Sequence, residues 1–272
     1  MMRRFALTFI AALAFANAVF AGDWDIHDIS VNVRLYKDGS AVVKEIWDLT
    51  AESGTEVYVP RENLGGSEIS GLSVMDEEGV PFKFEEEWDV DWSFKHKAGR
   101  CRFNRTSSRV ELCWGLGSYG DHIFTVSYEM TLAVKSLQDY DCFHIQLVSP
   151  GLSSSPRHVK ATIRVQGKTL QSQNTAIWAF GFEGSCNFCN GEIVYESSEE
   201  FRGGSSLISL VRLDKGILSP ESVRDYSFSK VLETAMEGAS FDKEDQQESL
   251  AATLTAILST IFFPLATVFL LI

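Results

Sequence analysis

Hydrophobic positions recur at every second residue through most of the chain. In "ISVNVRLYKDGSAVVKEIWDL", residues 29–49, apolar side chains fall at Ile29, Val31, Val33 and Leu35. The pattern breaks at Asp38-Gly39 and resumes at Val42, Val43 and Trp47. A period of two around Asp-Gly predicts a β-hairpin, because glycine reaches the positive φ that a tight turn needs. A second hairpin is expected around Glu78-Gly79, and a third across 100–114 with its turn at Thr106-Ser107-Ser108. Further strand-like runs follow up to about residue 213, separated by Gly, Ser and Asp turns. The expected fold is all-β: one or two antiparallel β-sandwich-like lobes with a short helical segment and a C-terminal transmembrane helix.

The pattern changes at both ends. Residues 1–21 combine Arg3 and Arg4 with an apolar run and small residues, the layout of a secretory signal peptide cleaved after Ala21 or Ala18. Residues 250–272, "LAATLTAILSTIFFPLATVFLLI", carry no charge. A span needs about 20 apolar residues, so this run predicts a transmembrane helix, in which Pro264 is tolerated. Between them the reading places a first β lobe at 22–135, a second at 136–218, and a helix with an acidic spacer at 219–249. Ser219-Pro220-Glu221 reads as a helix start, followed by Phe228, Val231, Leu232, Ala235 and Met236 at helical spacing, with Gly238 as the stop.

Charge narrows the partners. The net charge is −13, and removal of Arg3 and Arg4 with the signal peptide makes it −15. So acidic a chain is a poor match for nucleic acid. The expected localisation is the cell membrane, single-pass, with residues 22–249 extracytoplasmic.

Several motifs invite chemistry. Gly115, Gly117 and Gly120 spell G-x-G-x-x-G, the spacing of a dinucleotide loop. Such a loop must open a helix, whereas "HIFTVSYEM" after it reads as a strand. The glycines therefore predict a strand connection and no nucleotide. Cys101 and Cys113 stand equidistant from Ser107, so a hairpin centred there would set them opposite one another. A disulfide between them is one reading and free thiols the other. Cys186 and Cys189 form C-x-x-C. Residues i and i+3 point to opposite faces of a straight strand, so a local disulfide there requires a turn at Asn187-Phe188. Free structural thiols and a redox or metal pair are the alternatives. Cys142 is the odd cysteine, expected to be buried.

Acids gather in "EEEWDVDW", residues 85–92, and at Asp139 and Asp141. A solvated face is the ordinary reading. Asp-x-Asp on a strand would also suit calcium, and paired carboxylates would suit a glycosidase. Trp88 and Trp92 beside these acids fit either packing or sugar stacking. The histidines His27, His96, His122, His144 and His158 stand apart, and no G-x-S-x-G or H-E-x-x-H occurs. No catalytic residue, metal ligand or cofactor is assigned.

Five segments, "VRLYKDGSAVVKEIWDL", "ELCWGLGSYGDHIFTVSYEM", "IWAFGFEG", "NGEIVYES" and "DKGILSPES", occur in this order. As a set they resemble the exported N-terminal domain of predicted bacterial membrane proteins grouped as a domain of unknown function, DUF2207. The resemblance covers roughly residues 24–240. It implies a signal peptide, an extracytoplasmic β domain and a membrane anchor, and no activity or catalytic residue. Members commonly continue past the first membrane segment, often to a glycine-rich tail. Gly238-Ala239-Ser240 with the polar spacer and apolar tail also matches a GPI signal, which requires a eukaryotic source.

The functional expectation is a non-enzymatic, membrane-anchored β-domain protein of the cell envelope, with a binding or structural role toward envelope proteins or glycans. An envelope polysaccharide hydrolase using Asp89, Asp91, Asp139 or Asp141, and a calcium-stabilised adhesin-like module, are the alternatives.

Overall fold

The computed structural model describes residues 24–237, apart from 63, 106–108 and 203. The segments 1–21 and 250–272, and the acidic spacer 240–249 between the helix and the apolar tail, lie outside the described residues. No helix among the described residues is long and apolar enough to cross a membrane.

Among the described residues strands dominate, in three sheets. The first has seven strands in the order β13 (Gly184–Cys189), β14 (Glu192–Ser197), β11 (His158–Val165), β1 (Trp24–Leu35), β2 (Ala41–Ala51), β8 (Gly120–Met130) and β4 (Ile69–Met75). The second runs β12 (Thr175–Phe180), β15 (Leu207–Leu213), β10 (Asp141–Val148), β9 (Val134–Ser136) and β16 (Ser222–Val223). The third runs β3 (Glu56–Arg61), β7 (Val110–Gly115), β6 (Arg100–Arg105) and β5 (Lys83–Phe84). A single helical turn, α1 (Phe94–Lys97), precedes β6, and a second helix, α2, covers 228–237.

The hairpin expected at Asp38-Gly39 joins β1 to β2, with Val33 opposite Val43 and Gly39 at φ +83°. The sheets are mixed rather than purely antiparallel. β1 pairs with β11 in parallel from Asp28↔His158 to Leu35↔Val165, and β5–β6 and β9–β16 are also parallel. Alternation shows which face of a strand is buried but says nothing of its direction, so these pairings leave no trace in the pattern.

The expected boundary at residues 135/136 falls inside β9, and 136–141 form the tight β9–β10 connection, with the Leu137 amide bonded to the Tyr140 carbonyl at 2.8 Å. Strands from both expected lobes share the seven-stranded sheet. One continuous hydrophobic core links all three sheets. Trp114 on β7 packs edge-on against Trp47 and Phe124 from β2 and β8, at 6.2 and 5.8 Å between ring centroids. Tyr195 on β14 shares a 2.7 Å hydrogen bond with Ser209 on β15.

The helix does not start at Ser219. The Ser219 amide donates to the Lys37 carbonyl and the Glu221 amide to the Asp38 carbonyl, at 2.6 and 3.1 Å. The segment is thereby held extended against the β1–β2 turn, and β16 follows at Ser222. Helical geometry begins at 228, where the Phe228 amide donates to the Asp139 carboxylate at 2.8 Å. That acceptor satisfies one of the amides a helix start leaves open.

Candidate functional site

On β10, Phe143, Ile145 and Leu147 point into the main core. By alternation Cys142, His144 and Gln146 occupy the opposite face. Leu210 of β15 and Trp178 and Phe180 of β12 lie on that same outer face. There α2 sets down Phe228, Val231, Leu232 and Ala235, forming a second, smaller cluster with Leu137, Cys142 and Leu210. Trp178 lies 5.3 Å from Phe228 between ring centroids, and the Arg212 guanidinium stands 4.2 Å from the centre of the Tyr140 ring. The helix leaves part of the face open. A groove of about 980 Å³ remains, with Phe180, Ile208, Val231 and Ala235 among its apolar lining. Lys135 and Arg224 supply cations at one part of it; Glu183, Glu199, Glu200 and Arg202, the last paired with Glu199 at 3.2 Å, line it elsewhere.

Of the residues singled out in the sequence, Cys142 and His144 border this groove. The Cys142 thiol is buried and pushed up to about 12, by burial first and then by Asp141. A nucleophilic cysteine needs the opposite shift.

The structure does not bring Cys101 and Cys113 together. Arg105 pairs with Val110, so the hairpin is centred midway between 107 and 108, not on Ser107. The shift sets Cys101 opposite Trp114 and Cys113 opposite Arg102. One register step moves a side chain to the other face of the sheet, and both thiols are free and buried. Burial pushes Cys101 up to about 11; Cys113 is raised too, by burial and then by Glu56. Cys186 and Cys189 are also free, because β13 runs straight through Asn187-Phe188 and pairs both cysteines with β14. Burial raises Cys186 to about 11.

The three glycines turn a corner, as their context predicts. A Cβ on Gly115 would sit 2.0 Å from the Lys97 carbonyl oxygen, so only glycine admits the close approach of α1. Gly120 opens β8 at φ +114°. Gly117 has open space beside it.

The acidic stretch is a cover over β3–β7. Lys97 is fully buried, and its ammonium donates to Glu56, Thr55 and the Val90 carbonyl, at 2.9, 2.9 and 2.6 Å. Trp88 donates to Glu56 and lies 5.9 Å from Trp92, which lies 4.4 Å from His96. The Asp89 carboxylate accepts from the Asp91 amide at 2.9 Å, an Asx turn. Asp139 anchors α2. Asp141 is buried and bound to Lys215 at 2.8 Å. His27 lies 3.2 Å from Asp48, and His158 pairs with Asp28. His122 stacks on Phe124 at 5.3 Å. No group of three His, Cys, Asp or Glu side chains arranged to hold a metal occurs among the described residues.

Sequence reasoning missed one buried polar assembly. Glu45, on the core face of β2, pairs with the Arg61 guanidinium. Tyr128 donates to the same carboxylate oxygen at 2.7 Å, Arg61 Nε donates to the Tyr128 oxygen at 3.0 Å, and Trp47 donates to the other carboxylate oxygen at 2.9 Å. Burial pulls the Arg61 guanidinium down, but Glu45 and Tyr128 outweigh it and hold Arg61 above its ordinary value. Burial also raises the Tyr128 phenol. The assembly joins the first sheet to the third. The signal for it was visible: Glu45 sits in phase with the buried Ala41, Val43, Trp47, Leu49 and Ala51. The groove had no such signal, because β9, β10, β12, β15 and α2 build it jointly.

No family model and no curated protein matches the chain. Solved structures resemble it distantly. A candidate protease from Parabacteroides distasonis matches with a TM-score of 0.39 and 12% identity, over 69% of this chain and 40% of that one. Leukotriene A4 hydrolase from Saccharomyces cerevisiae gives 0.41 and 8%, over 70% and 29%. M1 zinc metallopeptidase from Deinococcus radiodurans gives 0.31 and 12%, over 70% and 42%. This chain therefore spans less than half of each of these proteins.

Proposed function

We propose that the chain is a membrane-anchored, extracytoplasmic β-domain protein of the cell envelope, of the DUF2207 kind, that acts by binding. The apolar segment 250–272 is the single-pass transmembrane anchor, residues 1–21 are the export signal, and the two lobes of the sandwich act as one body. The observation that carries the binding role is the groove between α2 and the outer face of the second sheet, where an apolar lining carries charges of both signs. Asp139 and Asp141 are engaged by the Phe228 amide and by Lys215, which favours binding over a hydrolase built on those acids.

The test is co-purification of the full chain from membranes, beside an Ala235→Trp variant that fills the groove. A partner recovered with the wild type and lost with Ala235→Trp supports the reading. Equal recovery with both, from protein of equal thermal stability, removes it.

A further inference from the structure

Lys135 and Arg224 are neighbours with like charge. β16 runs parallel to β9 with Ser222 opposite Lys135, and the Arg224 amide donates to the Ser136 carbonyl at 2.8 Å. Residues 222 and 224 therefore face the same way as Lys135. Both cationic heads converge on one loop. The Lys135 Cε lies 3.8 Å from where a Cβ of Gly65 would stand, and Arg224 Nη2 lies 3.7 Å from the same point on Gly66.

Neither cation has an acidic partner among the described residues. The Lys135 ammonium donates to the Leu132 carbonyl and, at 3.4 Å, to the Ser67 hydroxyl. Arg224 donates to the Val223 carbonyl at 3.1 Å. Glu62, a carboxylate in the same groove, is turned to Arg109 at 3.7 Å. Two adjacent cations repel, and a protein with a net charge of −13 has ample acid to neutralise them. Burial first, and Arg224 second, hold the Lys135 ammonium below its ordinary value.

The surrounding backbone takes positive φ at three residues near these groups, and only at Leu132 does this store strain. Gly65 and Gly66 have φ of +59° and +83°, and Leu132 has φ of +51°, a conformation that costs a residue with a Cβ. The Leu132 turn aims its carbonyl at both the Lys135 ammonium and the Ser67 hydroxyl. Ser222, beside Lys135, is buried and its hydroxyl has no hydrogen-bond partner. An arrangement that holds two cations without acidic partners on the wall of a groove suits an oxyanion, to which Arg and Lys both donate charge-assisted hydrogen bonds.

We propose that Lys135 and Arg224, over the Gly65-Gly66 loop, form an oxyanion subsite that takes a carboxylate or phosphate group of the ligand held in the groove. The inference rests on the binding role proposed above and assigns the chemistry of one part of that ligand.

The test uses the full chain in detergent micelles. Acylation of Lys135 by an amine-reactive ester is followed by mass spectrometry, with Lys160 on β11 as internal control. Inorganic phosphate, acetate and chloride are titrated at constant ionic strength. Saturable protection of Lys135 by phosphate or acetate, absent with chloride, is expected. Protection by phosphate alone assigns a phosphate ester; protection by both assigns a carboxylate-competent site. Arg224→Gln, which removes a solvent-facing side chain, should weaken protection about tenfold or more. Protection equal in chloride, or unchanged in Arg224→Gln, overturns the subsite. If Ala235→Trp abolishes partner recovery while no oxyanion protects Lys135, the subsite fails and the binding role stands. If protection holds and Ala235→Trp keeps its partner, the reverse is true.

Discussion

Glu45 and Arg61 face each other inside the core, on strands of two different sheets, with Tyr128 and Trp47 completing the carboxylate's hydrogen bonds. Removing one member strands the other without water. Arg61→Met should therefore destabilise by about 3–5 kcal/mol, while the double change Glu45→Leu with Arg61→Met should cost less than either single change. Urea unfolding of the four proteins checks this; additive losses would show that the two residues act independently.

Gly115 and Gly117 make a second paired test. Gly115→Ala drives a Cβ into the Lys97 carbonyl and should cost about 2–3 kcal/mol. Gly117→Ala meets open space and should stay within about 0.5 kcal/mol of the parent. Similar melting temperatures for the two variants would remove the close packing of α1 on β7 as the reason for the glycine.

These two glycines also show how legible the chain was. The hairpin at 29–49 could be read outright, because alternation and Asp-Gly agree. The glycine triplet could be read by the strand that follows it. The Cys101–Cys113 register could not, because one residue more in a turn reverses every face while leaving the apolar pattern intact. The start of α2 was hidden too. Ser219-Pro220-Glu221 has the composition of a helix start, but its amides bond to Lys37 and Asp38 across the fold. Long-range backbone bonds overrode a local preference there. The groove shares that origin, being assembled from segments as far apart in the chain as Glu62 and Ala235.

The thiols carry a pH dependence of definite sign. Cys101 and Cys186 are raised from 9.0 to about 11, and Cys142 to about 12. A group raised in the folded state favours the fold fully below its unfolded value, and that contribution is lost as pH rises toward the folded value. Stability under reducing conditions should therefore fall from about pH 9 upward, with Tyr128 and Tyr195 adding to the loss as their phenols ionise. Cys142→Ala should flatten the slope between pH 9 and 12. An unchanged slope would mean that Cys142 titrates as an exposed thiol does.

Exposure orders the cysteines as well. Cys189 is exposed, while Cys101, Cys113 and Cys142 are buried. Native protein should alkylate first at Cys189, and denatured protein at all five. A fast-reacting Cys101 or Cys113 would contradict the packing of the β6–β7 hairpin.

Asp139 holds the first turn of α2 by accepting the Phe228 amide. Asp139→Ala should cost about 1 kcal/mol and loosen the contact between Phe228 and Trp178, whose fluorescence reports it. Asp139→Asn, which keeps an acceptor, should restore most of the signal. Equal fluorescence in all three proteins would show that the helix docks without that anchor.

The parallel pairing of β1 with β11 has a temporal meaning. During synthesis β1 emerges first, yet the neighbour on one of its two sides is not made until residues 158–165. Until then β1 and β2 form a sheet with a naked flank in what becomes its interior. A fragment cut at residue 135 should bind hydrophobic dyes and self-associate instead of folding, since β1 would keep β2 but lack β11 on its other side. The protein becomes whole only when its later half arrives beside its first strand.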